Sequence, residues 1–272
     1  MAAGKQPDSV FQGSIPEMYE AYLVPVIFEP YAPDIAARVA ARHPATVLEL
    51  AAGTGVVTRQ LAIQLDPSTS ITATDLNSPM VDHARSLGAA RPVDWQQANA
   101  ESLPFDDESF DVVVCQFGVM FFDRPKAFAE IHRVLRPGGA FVFNAWDRIE
   151  TSEFADVLTN ALATMFPDDP PQFLRRTPHG YHDVDRIRAD IVSAGYDPAS
   201  EIVTVDARSR AASCEIPAIG YCQGTPLRNE IEARGPGRVI EATGVTSAAL
   251  AARFGETDMD GLIRAHVVTA LK

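Results

Sequence analysis

Between Thr46 and Asp75 the chain changes its hydrophobic period twice, and this stretch limits the possible folds more than any other. TVLEL reads as a buried strand, AAGTG as a glycine turn, VVTRQLAIQL as a helix, and ITATD as a second strand that ends on Asp75. Strand, turn, helix and strand in that order form a βαβ unit, whose two strands lie parallel in one sheet. The alternation continues, with strands expected at Val93 to Gln97, Phe110 to Cys115 and Ala140 to Asn144. Helices are expected between them at about Pro79 to Leu87 and Arg124 to Leu135, with Pro137-Gly138-Gly139 closing the second before Ala140. This rhythm predicts an α/β domain: a doubly wound parallel sheet covered by helices on both faces.

The flanks are less regular. Ser14-Ile15-Pro16-Glu17 matches a capping box, so a short helix carrying Met18, Tyr19, Tyr22 and Leu23 should run to Pro25. A second helix should open at Pro33-Asp34 and stop at His43-Pro44. After Trp146 a helix is expected from Glu153 to Met165, then a proline-rich turn at Pro167 to Pro171. A helix capped by Asp183 follows, ending near Gly195, then a strand at Ile202 to Asp206. A mainly helical stretch over Ala211 to Phe254 precedes a last strand at about Ile263 to Leu271, whose pairing would be non-sequential. We read 1–44 as an N-terminal helical segment, 45–150 as the core, and 151–272 as the rest of the sheet with helical cap insertions at about 154–179 and 211–254.

Composition narrows the function classes. At 272 residues, 46% hydrophobic and 22% charged, the chain is long enough for one large domain or a core with a cap. A charge of -13, from 23 Lys and Arg against 36 Asp and Glu, argues against nucleic acid and anionic membrane as partners. The longest uncharged apolar run, Val112 to Phe122, falls short of the roughly 20 residues a membrane span requires. The start MAAGKQPDSV has no apolar signal core, and Cys115, Cys214 and Cys222 form no CxxC pair, so the expected setting is reducing and cytoplasmic.

In open α/β sheets, ligands bind beyond the carboxyl ends of the strands, which directs attention to the loops after Leu50, Asp75, Gln97 and Cys115. Gly53 and Gly55 let backbone approach a ligand, and Asp75 is placed to accept both hydroxyls of a ribose, so the constellation reads as a nucleoside site. A dinucleotide fold would carry a third glycine where Thr58 stands. Glu49, just before the loop, suits a cationic ligand better than a pyrophosphate. A nicotinamide-dependent oxidoreductase is therefore the weaker alternative.

The ordered motifs VLELAAGTG (Val47 to Gly55), ATDLN (Ala73 to Asn77), QANAESLPF (Gln97 to Phe105), FDVVVCQFGVMFF (Phe110 to Phe122) and EIHRVLRPGG (Glu130 to Gly139) resemble those of class I S-adenosylmethionine (SAM)-dependent methyltransferases. The likeness is to the small-molecule type related to ubiquinone/menaquinone methylases, and it runs from about Val47 to Trp146. It implies a seven-stranded, mainly parallel Rossmann-like sheet, SAM as cofactor and S-adenosylhomocysteine as product. By the same resemblance Glu49, Ala51, Gly53 and Gly55 surround the methionine moiety, and Asp75 holds the ribose with Leu76 against the adenine. Asn99 and Ala100 flank the adenine, Gln116 and Phe117 line the methionine end, and the helix with Tyr19 and Tyr22 closes over the cofactor.

Such an enzyme needs an acceptor held in line with the carbon–sulfur bond in a dry pocket, and orientation alone is worth roughly 7 kcal/mol or more. No catalytic residue and no metal ligand are assigned. His132 reads as a structural surface histidine, and the cluster His179, Tyr181, His182 and Asp183 as a turn ahead of a capped helix. Cys214 and Cys222 read as buried apolar residues. Phe117 is favoured as the wall beside the transferred methyl. A SAM-binding module without transferase activity remains the alternative of another class. Base methylation of nucleic acid is disfavoured because Cys115-Gln116-Phe117-Gly118 occupies the place of an Asp/Asn-Pro-Pro-aromatic run. The acceptor is expected to be a small molecule; its identity and the choice between monomer and homodimer stay open.

Overall fold

A computed structural model describes residues 7–9, 11 and 15–272, so Ser14 of the expected capping box lies outside the described residues. In chain order the elements are α1 (Ile15–Met18), a π-helix (Tyr19–Phe28), α2 (Ala32–Ala40), β1 (Thr46–Glu49), α3 (Val56–Gln64), β2 (Ser70–Asp75), α4 (Ser78–Leu87), β3 (Asp94–Gln97), β4 (Phe110–Gln116), α5 (Arg124–Val134) and β5 (Leu135–Trp146). There follow α6 (Glu153–Met165), α7 (Phe173–Arg176), α8 (Val184–Ser193), β6 (Glu201–Ser213), α9 (Glu215–Gln223), α10 (Leu227–Glu232), α11 (Arg238–Phe254) and β7 (Thr257–Leu271). The seven strands form one sheet in the order β3-β2-β1-β4-β5-β7-β6. Strands β1 to β5 pair in parallel, and β7 runs antiparallel to β5, with Asn144 opposite Val267.

The chain divides into two compact units. One holds Tyr31–Trp146, Tyr181–Val205 and Ala265–Lys272. Its βαβ start is fixed by burial: Val47, Ile71, Val112, Val114, Ala140 and Val142 present one sheet face to Ile35, Ala36 and Val39 of α2 and Val57 and Leu61 of α3. Alternation along parallel strands makes this face continuous from β2 to β5. Helix α8 is capped as its sequence predicts, with Asp183 accepting from the N–H groups of Asp185 and Arg186.

The other unit holds the described residues of Met1–Pro30 with Asp147–Gly180 and Asp206–Arg264. In it α11 packs on α6 and α9, and α9 packs on the π-helix. The expected helix stop at Pro25 is not observed. The chain passes through Pro25 in a wider π turn, in which the Glu29 N–H reaches the Val24 carbonyl at 3.0 Å. Pro25 has no N–H to close an α turn, so the wider winding carries the helix past it. Gly220 of α9 permits this packing, because a Cβ there would lie 2.8 Å from the Tyr22 carbonyl oxygen.

Three other boundaries differ from expectation. Strand β5 begins at Leu135, so Pro137-Gly138-Gly139 lies inside the strand, at a shift of register between Phe110 and Val112 on β4. Gly138 takes φ +77°, the left-handed conformation such an irregularity needs. Strands β6 and β7 are longer than expected, and residues 211–213, read as helical, end β6.

Candidate cofactor and acceptor site

The strand ends from β1 to β5 all belong to the sheet unit. Glu49 ends β1 with 2% of its surface exposed, and one carboxyl oxygen accepts the Thr58 hydroxyl at 2.6 Å. Burial pushes the Glu49 carboxyl up to about 8; the Thr58 hydrogen bond and the Arg59 charge draw it back, while Asp75 adds to the rise. Thr58, in place of a third glycine, is wholly buried and spends its hydroxyl on Glu49. The turn after β1 winds through positive φ at Ala51 (+51°), Gly53 (+57°) and Gly55 (+86°). Gly55 cannot be replaced without movement, since a Cβ would meet the Trp95 ring at 2.9 Å.

Asp75 ends β2 and closes this turn: one oxygen accepts the Gly53 N–H at 3.0 Å and the other the Asn77 N–H at 2.8 Å. The half-buried Leu76 follows, its carbonyl accepting from the Gln97 amide at 2.8 Å. Asn99 is exposed, and its side-chain oxygen accepts the Glu101 N–H at 3.0 Å, while Ala100 is buried. A brace missing from the sequence reading holds this loop from α5. Glu130 accepts the Leu103 N–H at 2.9 Å, and Arg133 donates to the carbonyls of Leu103 and Phe105 and to Glu130. The Arg133 guanidinium holds the Glu130 carboxyl below its ordinary value against the penalty of partial burial.

At the end of β4, Gln116 is buried and Phe117 turns the chain at φ +52°. The Phe117 N–H donates to the Asn144 side-chain oxygen at 2.9 Å and to the Asn144 carbonyl at 3.3 Å. Its ring stacks on Trp146 at 3.6 Å and 3°, and Tyr31 meets both rings edge-on at 5.3 and 5.6 Å. Phe117 is thus one member of a buried aromatic trio. Gly118 leaves no room for a side chain, because a Cβ would lie 2.6 Å from both the Ala51 Cβ and the Cys115 sulfur. Glu49, Gln116 and Asn144 fall on the same alternation as Val47, Val114 and Val142, so all three share the sheet face that carries α2 and α3.

Tyr19 and Tyr22 belong to the π-helix of the other unit, where the Tyr19 ring tilts on Phe28 at 5.0 Å and meets Phe11 edge-on at 6.1 Å. His132 lies edge-on to Tyr196 at 5.1 Å, and burial lowers its pKa. The histidine cluster resolves into local contacts: the His179 ring sits 2.7 Å from the Asp147 carbonyl, and the Arg124 guanidinium lies over the Tyr181 ring at 4.1 Å. Buried Cys222 meets the Thr246 hydroxyl at 3.6 Å. No group of three or more metal-ligating side chains occurs among the described residues.

Residues 48–143 match the family model of the methyltransferase domain. The chain is 40% identical over 103 residues to a ubiquinone/menaquinone biosynthesis C-methyltransferase of Hahella chejuensis, an alignment covering 36% of this chain and 41% of that one. A protein of the same description from Pasteurella multocida is 35% identical over 125 residues, covering 44% of each. The chain thus spans less than half the length of either curated relative. Two solved structures share the fold. The YcgJ protein of Bacillus subtilis has a TM-score of 0.57 at 20% identity, covering 89% of this chain and 98% of that one. Haemonchus contortus phosphoethanolamine N-methyltransferase 2, solved with phosphomonomethylethanolamine and S-adenosylhomocysteine, has a TM-score of 0.61 at 16% identity, covering 100% of this chain and 61% of that one.

Proposed function

We propose that this chain, whose residues 48–143 match the methyltransferase domain model and whose strands form a Rossmann-like sheet, transfers a methyl group from SAM to a small-molecule acceptor. The carrying observation is the pairing at the ends of β1 and β2. The Asp75 carboxylate is set in place by the N–H groups of Gly53 and Asn77 and by the Asn77 side-chain amide at 3.4 Å, and a second, deeply buried acid stands one strand away. That combination fits a ligand with a vicinal diol at one end and positive charge at the other. Asp75 would hold the ribose hydroxyls with Leu76 beside the adenine, and Asn99 and Ala100 would flank its far edge. Glu49, Ala51, Gly53, Gly55, Gln116 and Phe117 would enclose the methionine.

The bound cofactor supplies a sulfonium-activated methyl group. What this chain contributes is placement: the Asp75 carboxylate fixes the sugar, the turn from Ala51 to Gly55 brings backbone against the ligand, and the aromatic residues beside β4 and β5 keep the site dry. Orientation of this kind supplies most of the rate, so no covalent nucleophile is needed. Glu49 accepts a cationic group best as the carboxylate, so cofactor affinity is expected to rise with pH toward about 8. The unpaired thiols of Cys115, Cys214 and Cys222 suit a reducing compartment, the cytoplasm. No helix of the described residues is long and apolar enough to cross a membrane.

Calorimetric titration with S-adenosylhomocysteine tests the reading. Asp75→Ala should weaken binding by about 1.5–3 kcal/mol, roughly 10- to 150-fold, through lost charge-assisted hydrogen bonds. Unchanged affinity would remove the ribose assignment. Release of S-adenosylhomocysteine from SAM on addition of a metabolite panel then separates an enzyme from a silent binding module.

A further inference from the structure

Asn144 was not singled out by any motif, yet it is wholly buried at the carboxyl end of β5. Its side-chain oxygen is engaged by the Phe117 N–H at 2.9 Å, which fixes the amide's orientation, because a flipped amide would set two donors against each other. The Nδ2 group, with almost no solvent exposure, has no hydrogen-bond partner among the described residues. Buried donors are nearly always satisfied, and one left unmatched at the rim of a ligand site calls for a partner supplied from outside the chain.

Its place in the sheet says which partner. Across the order β2-β1-β4-β5 the site presents Asp75, Glu49, Gln116 and Asn144, with Gln116 and Asn144 directly opposite each other in register. From Asp75 to Asn144 is three strand spacings, roughly 14 Å at about 4.8 Å each. If the sugar sits over β2 and the cationic end over β1 and β4, Asn144 lies beyond the cofactor, on the side from which the acceptor must approach. Phe117 and Trp146 stand beside it with Tyr31, so the surroundings are aromatic and dry.

We infer that Asn144 is the hydrogen-bond donor to the methyl acceptor, and that the acceptor presents to it a carbonyl-type oxygen. This rests on the methyltransferase reading above. The interaction sets specificity: a dry donor discriminates strongly against a ligand that offers carbon where oxygen is required.

The test uses an isosteric pair of probes, acetophenone and α-methylstyrene, which differ only in oxygen against CH2. Both are titrated by ligand-observed NMR into the whole protein saturated with S-adenosylhomocysteine. The unaltered protein should prefer acetophenone by about tenfold or more. Asn144→Asp keeps an acceptor for the Phe117 N–H and removes the donor, and Asn144→Leu removes both; the preference should vanish in each. A purely structural role in holding the Phe117 turn would leave the preference intact in Asn144→Asp, and that result overturns the inference. So does an unaltered protein that binds S-adenosylhomocysteine but takes neither probe, or takes both equally. Failure to bind S-adenosylhomocysteine at all would instead sink the methyltransferase reading, and this inference with it.

Discussion

The two ends of the same strands are built on opposite principles. At the amino ends of β1 and β4, Asp111 accepts the N–H groups of Ala45 and Thr46 at 2.8 Å each, the Thr46 hydroxyl at 3.1 Å and the Arg136 guanidinium at 2.6 Å. Against the cost of partial burial, Arg136 and these donors hold its carboxyl below the usual value. At the carboxyl ends, Glu49 is more deeply buried and is pushed up to about 8, and Asn144 and Thr54 each keep a buried polar atom with no partner among the described residues. Positive φ occurs at both ends, but at His43 and Glu108 it falls on exposed turns, whereas Ala51 and Phe117 bend the chain at the rim of the site. One end is satisfied and stabilises the sheet. The other holds desolvated and strained groups whose cost makes sense only if a ligand engages them.

The largest effect expected of this contrast concerns Glu49. Its folded pKa of about 8 lies above the 4.5 of the free carboxyl, so the stability favouring the uncharged acid is complete below about pH 4.5 and lost as pH rises through about 8. Glu49→Gln should therefore match the parent near pH 4 and exceed it by roughly 3–5 kcal/mol at pH 9, measured by denaturant unfolding. A difference independent of pH would mean that the carboxyl is charged throughout and that the rim is not desolvated as described.

Asp111 should behave with the opposite sign. Its pKa is lowered, so its contribution is present above the free carboxylate value and is lost as pH falls through the folded one. Asp111→Ala should cost roughly 2–3 kcal/mol at pH 7 by leaving Ala45, Thr46 and Arg136 without their acceptor. That deficit should shrink on acidification, with affinity for S-adenosylhomocysteine unchanged. Weakened cofactor binding in this variant would show that the two ends are not independent.

How far the sequence discloses this arrangement depends on how local each determinant is. Strands β1, β2 and β4 and helices α3 to α5 follow from short-range period, because buried parallel strands read as apolar runs and glycine or proline marks their ends. The full length of β6 does not. Its outer half carries Asp206, Arg208 and Arg210, which look like a solvated stretch until Arg264 pairs with Asp206, and Asp260 with Arg208 and Arg210, across 50 to 58 residues of chain. Glu49, Gly53 and Gly55 are legible as rim residues because VLELAAGTG is contiguous, and Asp75 because it ends the next apolar strand. Asn144 is not, since AFVFNAW reads simply as a strand, and only the register opposite Gln116 and the bond from Phe117 reveal what the amide does. The Glu130 and Arg133 brace escaped for the same reason, as its targets are backbone groups on a loop distant in sequence.

The smallest effect separates strain that serves binding from strain that merely makes a turn. A non-glycine residue in the left-handed region costs about 1–2 kcal/mol, and glycine's greater freedom in the unfolded chain returns about 0.5–1 of that. Ala51→Gly and Glu108→Gly should each therefore gain up to about 1 kcal/mol in unfolding experiments. Their consequences for the ligand should differ. Glu108 sits at the satisfied end, and its replacement should leave S-adenosylhomocysteine affinity unaltered. Ala51 holds the turn that presents Gly53 to Asp75, so its replacement should loosen that turn and weaken the cofactor by about two- to fivefold, corresponding to roughly 0.4–1 kcal/mol. If both variants gain stability and bind equally well, the left-handed bend at Ala51 is geometry alone, and the rim owes its preorganisation to Asp75 and the glycines rather than to backbone strain.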